Sequence, residues 1–218
     1  MNSDELRKKV MNNYDLIANQ YTNEYGKIIE DKEIIDKLIS LLNNNSKVID
    51  LGGGPGQLTN YLISNKIDAT CYDFSINMKN NALKLYPNIP YIVDDIVNIK
   101  EHFNNKTQDA VIALYSLFHI PKNEMNNLLV DINNILKKDG YFLLTIQLGN
   151  GEYFVDEPYL NEEGKNCLYM NYYSKEEIET LLTNNNFKII YQFEKIEKGE
   201  NVIEKENKTL IIISQKIN

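Results

Sequence analysis

The chain has 218 residues, 43% hydrophobic and 25% charged, with a formal net charge of −8. That is enough for one domain with a full core, and the acidic balance argues against a phosphate backbone as partner. The two cysteines show neither metal-ligand nor disulfide spacing and no apolar run is long enough to span a bilayer, so a cytoplasmic protein, monomer or homodimer, is expected.

In chain order, Leu6, Val10, Tyr14, Ile17, Ala18 and Tyr21 fall at helical spacing and predict a first helix over residues 3–25. A second helix is expected over 31–43. The first strand is KVIDL, followed by a helix over 57–64. The second strand is DATCYDF, followed by a helix over 75–86. PYIVDD and DAVIALYS read as the third and fourth strands. Pro121 suits the first turn of a helix running to about Lys138. Gly140 precedes a fifth strand, YFLLTIQL. Residues 149–173 form a long stretch of aromatics and acids. A helix then starts at Ser174, where SKEE reads as a capping box. FKIIYQFEKI and NKTLIIISQKI close the chain as a hairpin.

Strands this uniformly apolar, alternating with helices, predict an α/β fold with a parallel sheet covered on both faces. Ligands of such sheets bind beyond the carboxyl ends of the strands. The unusual residues fall there. After the first strand comes DLGGGPGQ, with glycines at 52, 54 and 56. A dinucleotide fingerprint would want its third glycine at 57, where the chain has Gln. The loop also lacks the Lys-Ser/Thr ending of a phosphate-binding loop. What remains is a backbone surface free of side chains, against which a bulky ligand can lie.

VIDLGGGPGQLT resembles the first motif of class I methyltransferases that use S-adenosylmethionine. The resemblance extends from about residue 10 to 147 and to the closing hairpin. It implies a Rossmann-like, doubly wound, seven-stranded sheet, mostly parallel with an antiparallel strand in the C-terminal hairpin. It divides the single domain 1–218 into a helical lid (1–45), a cofactor-binding core (46–148), a substrate-cap segment (149–173) and a closing helix and hairpin (174–218). By the same resemblance Gly52, Gly54 and Gly56 pass under the methionine and ribose of the cofactor, and Asp50 lies near the methionine amino group. Asp73, in YDFS, would accept both ribose hydroxyls, since one carboxylate offers two acceptor oxygens to two adjacent donors. Phe74 and Met78 would pack on the adenine. Asp95, with Asp94 as rival, would accept from the adenine amino group, with Ile96 at the ring. Leu114 or Tyr115 would sit by the methionine.

Methyl transfer needs an aligned nucleophile and, where that nucleophile is protonated, a base. His119, one of two histidines, follows the fourth strand in SLFHIP. Similar enzymes often carry a histidine here, as base or as a loop-ordering group. Their first helix closes over the cofactor, and Tyr21 fits the position of a tyrosine that reaches cofactor or substrate. Tyr14 lies two turns earlier as a cofactor contact or packing residue. A Tyr21–His119 latch is expected. Residues 149–173, with Tyr153, Phe154, Tyr159, Tyr169, Tyr172 and Tyr173 among Glu152, Asp156 and Glu157, are expected to wall the substrate.

No metal cluster, Asn/Asp-Pro-Pro-aromatic run or Pro-Cys nucleophile occurs. The expected activity is methyl transfer to N, O or S of a small metabolite, releasing S-adenosylhomocysteine. The rivals are an RNA or protein methyltransferase, a non-catalytic cofactor sensor and, more distantly, a nicotinamide dehydrogenase.

Overall fold

The computed structural model describes residues 1–156, 167–197 and 207–217. The expected Tyr159 and Glu157 lie outside these residues. A seven-stranded sheet forms the centre, in the order β3-β2-β1-β4-β5-β9-β8. These strands are β1 (Lys47–Leu51), β2 (Asp68–Asp73), β3 (Tyr91–Val93), β4 (Gln108–Ala113), β5 (Leu136–Gln147), β8 (Phe187–Glu197) and β9 (Asn207–Lys216). β1 to β5 pair in parallel, and β9 runs antiparallel between β5 and β8. The chain starts mid-sheet, winds outward to β3, then returns past β1 to β4. The switch point between β1 and β4 is where such folds bind ligands.

Alternate residues of the strands feed two cores. Ile49, Leu51, Val111, Ala113, Phe142 and Leu144 pack with Met125, Leu128 and Ile132 of α6 (Lys122–Ile135) and with Ile178 and Leu182 of α7 (Lys175–Asn184). Val48, Ala69, Ala110, Ile112 and Leu143 pack with α2 (Lys32–Ser40) and α3 (Gln57–Ser64) through Ile34, Ile35, Leu38, Leu58 and Leu62. This period of two, apolar on both faces, marks a sheet covered by helices on each side.

α1 (Ser3–Tyr25) opens with a capping box between Asn2 and Glu5. It lies across α4 (Ile76–Leu85). Asn81 Nδ2 donates to Asn19 Oδ1 at 2.9 Å, and Ser75 Oγ donates to Asp15. At its N-terminal end Arg7 Nε donates to Asp95 Oδ2 at 2.7 Å, and Arg7 Nη1 bonds Glu124.

Several elements differ from the sequence reading. α6 ends at Ile135 rather than near Lys138, because β5 already begins at Leu136, which pairs with Gln108 before the register shifts. Pro121 stands at the cap of α6, just outside the first turn. Residues 151–156 and 167–172, read from the sequence only as part of a long stretch of aromatics and acids, form an antiparallel pair, β6 (Gly151–Asp156) and β7 (Cys167–Tyr172). A short helix, α5 (Ile99–His102), follows a 3₁₀ turn at Ile96–Asn98.

Arg7 is the charged tether of α1, so Arg7→Met should loosen the N-terminal half of that helix. Losing a charge-assisted bond costs about 1.5–3 kcal/mol. Amide exchange over residues 3–13 should accelerate at least tenfold while the core strands keep their protection. Equal exchange in both proteins would show that apolar packing alone holds the helix.

Candidate active site

The glycine loop, α1, the α1–α2 connection and the end of β4 enclose one cleft, with about 930 Å³ of space counted out through its open mouth. Tyr14, Tyr21, Asp50, Gly52, Gly54, Asp73, Phe74, Met78, Ile96, Leu114, Tyr115 and His119 all line it. The structure thus brings together residues spread over more than a hundred positions of sequence. Gly56 lies behind the loop, where its N–H donates to Gly53 and a side chain would meet Ile89.

Strand register creates the site. Leu51 pairs with Tyr72, so β1 and β2 end side by side, and Asp50 and Asp73 are buried at neighbouring strand ends. Asp50 Oδ2 accepts from the Thr59 hydroxyl of α3 at 2.7 Å. Asp73 Oδ2 accepts from Gly54 N–H at 3.0 Å and Oδ1 from Ser75 N–H at 2.8 Å. Burial pushes the Asp50 carboxyl up to about 7; the Thr59 bond opposes this and the Asp73 charge adds to it. Burial likewise raises Asp73 to about 6, against its two backbone N–H bonds. Neither forms an ion pair among the described residues.

His119 sits on the cleft wall in a 3₁₀ turn at Leu117–His119. Its Nδ1 donates to the Tyr169 carbonyl at 2.8 Å. A carbonyl only accepts, so Nδ1 carries the proton and Nε2 is the acceptor. The group facing Nε2, at 2.9 Å, is the hydroxyl of Tyr14. This corrects the expected Tyr21–His119 latch. Tyr14 and Tyr21 share one face of α1, two turns apart, and Tyr21 packs edge-on against Tyr14 with ring centres 6.0 Å apart. Burial lowers the His119 pKa to about 4, opposed by the Tyr169 carbonyl, so the ring is neutral above that pH.

The turn is held from behind by the β6–β7 hairpin. Asn171, fully buried on β7, donates through Nδ2 to the carbonyls of Leu117 (3.2 Å) and Ile120, bracketing His119. The sequence reading missed Asn171, since no local pattern marks a lone buried amide as a clamp. Among the described residues, none of 149–173 lines the cleft. Tyr153 and Phe154 face solvent, while Tyr169 and Tyr173 are buried.

Asp95 sits apart from this cleft, in an adjoining pocket that shares Phe74, Ile96, Ser116 and His119 with it. Its carboxylate takes Arg7 Nε and the Val97 N–H. Asp94 turns outward to His102 Nε2 at 2.7 Å and Asn98. His102, read as a solvated helix residue, also packs edge-on to Tyr72.

A protein family described as a methyltransferase domain matches residues 25–192. The chain belongs to that family. Protein 235L of Invertebrate iridescent virus 6, which carries a methyltransferase name, is 28% identical over 165 residues, 62% of this chain. The chain spans 60% of the length of that curated relative. Two crystal structures share the fold. An S-adenosylmethionine-dependent methyltransferase from Methanosarcina mazei superposes with a TM-score of 0.71 at 18% identity, covering 84% of this chain and 97% of that one. The 1,6-didemethyltoxoflavin-N1-methyltransferase of Burkholderia thailandensis, solved with 1,6-didemethyltoxoflavin and S-adenosylhomocysteine, gives 0.73 at 14% identity, covering 100% and 92%.

The residues present fit S-adenosylmethionine, the cofactor implied by the resemblance of the glycine loop. Asp73 retains one lone-pair direction on each oxygen for a vicinal diol. Asp50 is a buried carboxyl group that no cation pairs with among the described residues. A methyl group added at Gly54 would meet no atom within 4 Å, so the loop leaves open space above it. At Gly52 an added Cβ would lie 2.3 Å from Ser116 Cβ. Both glycines have positive φ, 78° and 47°. Gly54→Ala should therefore cost only the backbone strain, about 1–2 kcal/mol, yet weaken S-adenosylhomocysteine at least tenfold by filling the cradle. Gly52→Ala should destabilise the fold by more than that. Thermal unfolding and calorimetric titration of the two variants check the contrast, which fails if both bind like wild type.

Proposed function

We propose that this chain transfers the methyl group of S-adenosylmethionine to a nitrogen, oxygen or sulfur of a small metabolite, with Tyr14 and His119 as the proton-accepting pair. The observation that carries this reading is the neutral, oriented His119 whose Nε2 accepts from Tyr14 on the cleft wall. When bound, the cofactor supplies an electrophilic methyl on a sulfonium. Asp50 would receive its ammonium and Asp73 its ribose hydroxyls. Phe74 and Met78 would pack on the adenine beside Ile96, and Leu114 would lie at the methionine. Asp95, which Arg7 holds in the adjoining pocket, would face the ring from there.

The acceptor's proton passes to the Tyr14 oxygen as the Tyr14 proton moves to Nε2. Nδ1–H stays on the Tyr169 carbonyl throughout, which holds the ring in one tautomer. His119 is buried and Tyr14 half-buried, so the imidazole meets solvent only by way of the cleft. Tyr21 keeps Tyr14 in place through its edge-on ring contact. Among the described residues that line the cleft none is Lys or Arg, and the carboxylates are Glu30, Asp50 and Asp73. Such a wall repels a phosphate backbone and suits a neutral or cationic small acceptor.

Methyl-labelled S-adenosylmethionine incubated with a cell extract should label the small-molecule fraction. General-base catalysis contributes about 10²–10⁴-fold. His119→Ala and Tyr14→Phe should therefore each slow labelling about a hundredfold, with S-adenosylhomocysteine affinity changed less than threefold. Label in RNA or protein would sink the small-metabolite reading. Binding without any labelled product across extracts and purified acceptors would favour a sensor.

The second test is pH. The Asp50 value of about 7 lies above the ~3.9 of a free Asp. The folded state therefore favours the neutral acid, and that contribution to stability is present at low pH and lost as pH rises through 7. An ammonium ligand needs the ionised form. Affinity for S-adenosylhomocysteine should fall roughly tenfold or more between about pH 8 and pH 5.5. A flat profile would remove Asp50 from this role.

A further inference from the structure

Gln57 is the first residue of α3, directly after the last glycine of the loop. Its side chain lines the cleft, yet its Oε1 is buried and has no hydrogen-bond donor among the described residues. A buried acceptor left unpaired costs about 1–3 kcal/mol, and native proteins keep few of them. This one faces a ligand cleft, where a ligand can supply the missing donor.

The packing of α3 says which part of the ligand that is. Leu58 and Leu62 share their core with Ile34, Ile35 and Leu38 of α2, and the Tyr61 hydroxyl donates to Asp36 Oδ1 at 2.5 Å. α3 thus leans toward α2 and the α1–α2 connection. Asp73 leads the other way, into α4, whose Met78 and Asn81 meet Thr22 of α1. Gln57 therefore stands at the end of the glycine loop away from Asp73. A ligand whose ribose sits at Asp73 presents its amino-acid end there, and the donor at that end is an α-ammonium.

The geometry points to Gln57 as a cofactor-binding residue whose Oε1 accepts a hydrogen bond from the α-ammonium of S-adenosylmethionine, sharing that group with Asp50. This rests on the cofactor-binding reading above and adds a residue to it. A neutral amide suits the place physically. It orients the ammonium without adding a further negative charge beside Asp50, whose ionisation the Asp73 charge already opposes.

The test compares two ligands by calorimetric titration. S-adenosylhomocysteine carries the amino-acid end; 5′-methylthioadenosine has the same adenosine and thioether but lacks it. Gln57→Met keeps the length and removes the acceptor. It should bind S-adenosylhomocysteine about tenfold more weakly, the worth of one hydrogen bond to a charged group, and bind 5′-methylthioadenosine as wild type does. Unchanged S-adenosylhomocysteine affinity in Gln57→Met would overturn the inference. So would equal weakening for both ligands, which would mean a collapsed cleft rather than a lost contact. Wild-type protein that binds neither ligand would overturn the cofactor reading itself, and this inference with it.

Discussion

Two carboxylates are buried at adjacent strand ends, and no cation pairs with either among the described residues. The rest of the site is arranged around that constraint. Parallel pairing of Leu51 with Tyr72 brings the two ends together, and burial raises both carboxyls far above an exposed Asp. The chain offsets part of the cost with N–H and O–H donors from Gly54, Thr59 and Ser75. These donors come from the glycine loop and the first turns of α3 and α4, so the segments that cradle a ligand are the same ones that solvate the acids. A cation docking there supplies what the protein leaves out. Binding and folding therefore share one electrostatic account.

His119 is built by a different route. Nothing in its own turn fixes the ring. The tautomer is set by a backbone carbonyl fifty residues later, at Tyr169, and the turn is clamped by Asn171 on the same strand. The β6–β7 hairpin, expected to wall the substrate, instead supports His119 from behind through its described residues. The wall of the cleft is α1 itself, whose Tyr14, Tyr21 and Tyr25 face inward together with Ile28 and Ile29 of the following connection.

What could be read from the sequence follows the range of the interactions involved. The strands, their helices and the glycine loop are local patterns: apolar runs, capping residues, turn glycines. They appear in the structure within a few residues of their expected bounds, and the sheet has the expected seven strands with β9 antiparallel. Asp50, Asp73, Phe74 and Met78 share the cleft because each stands at a fixed offset from a strand end or its following helix. Which tyrosine meets His119 was not legible. Tyr14 and Tyr21 are seven residues apart, two helical turns on one face, so periodicity places both toward the sheet and cannot choose between them. The choice depends on how far α1 slides along α4, which is set by Asp15 at Ser75 and Asn19 at Asn81. The engagement of Asp95 by Arg7, 88 residues away, was hidden for the same reason.

That sliding contact links the two halves of the site. α1 carries Tyr14 to His119, Asp15 to the cap of α4 two residues beyond Asp73, and Arg7 to Asp95. These three contacts make α1 a single wall: its position along α4 fixes at once the Tyr14–His119 distance and the cap that follows Asp73. On the reading proposed above, the phenol and the imidazole meet the methyl acceptor as a pair that the fold has already aligned, so part of the barrier is met by positioning before the acceptor arrives.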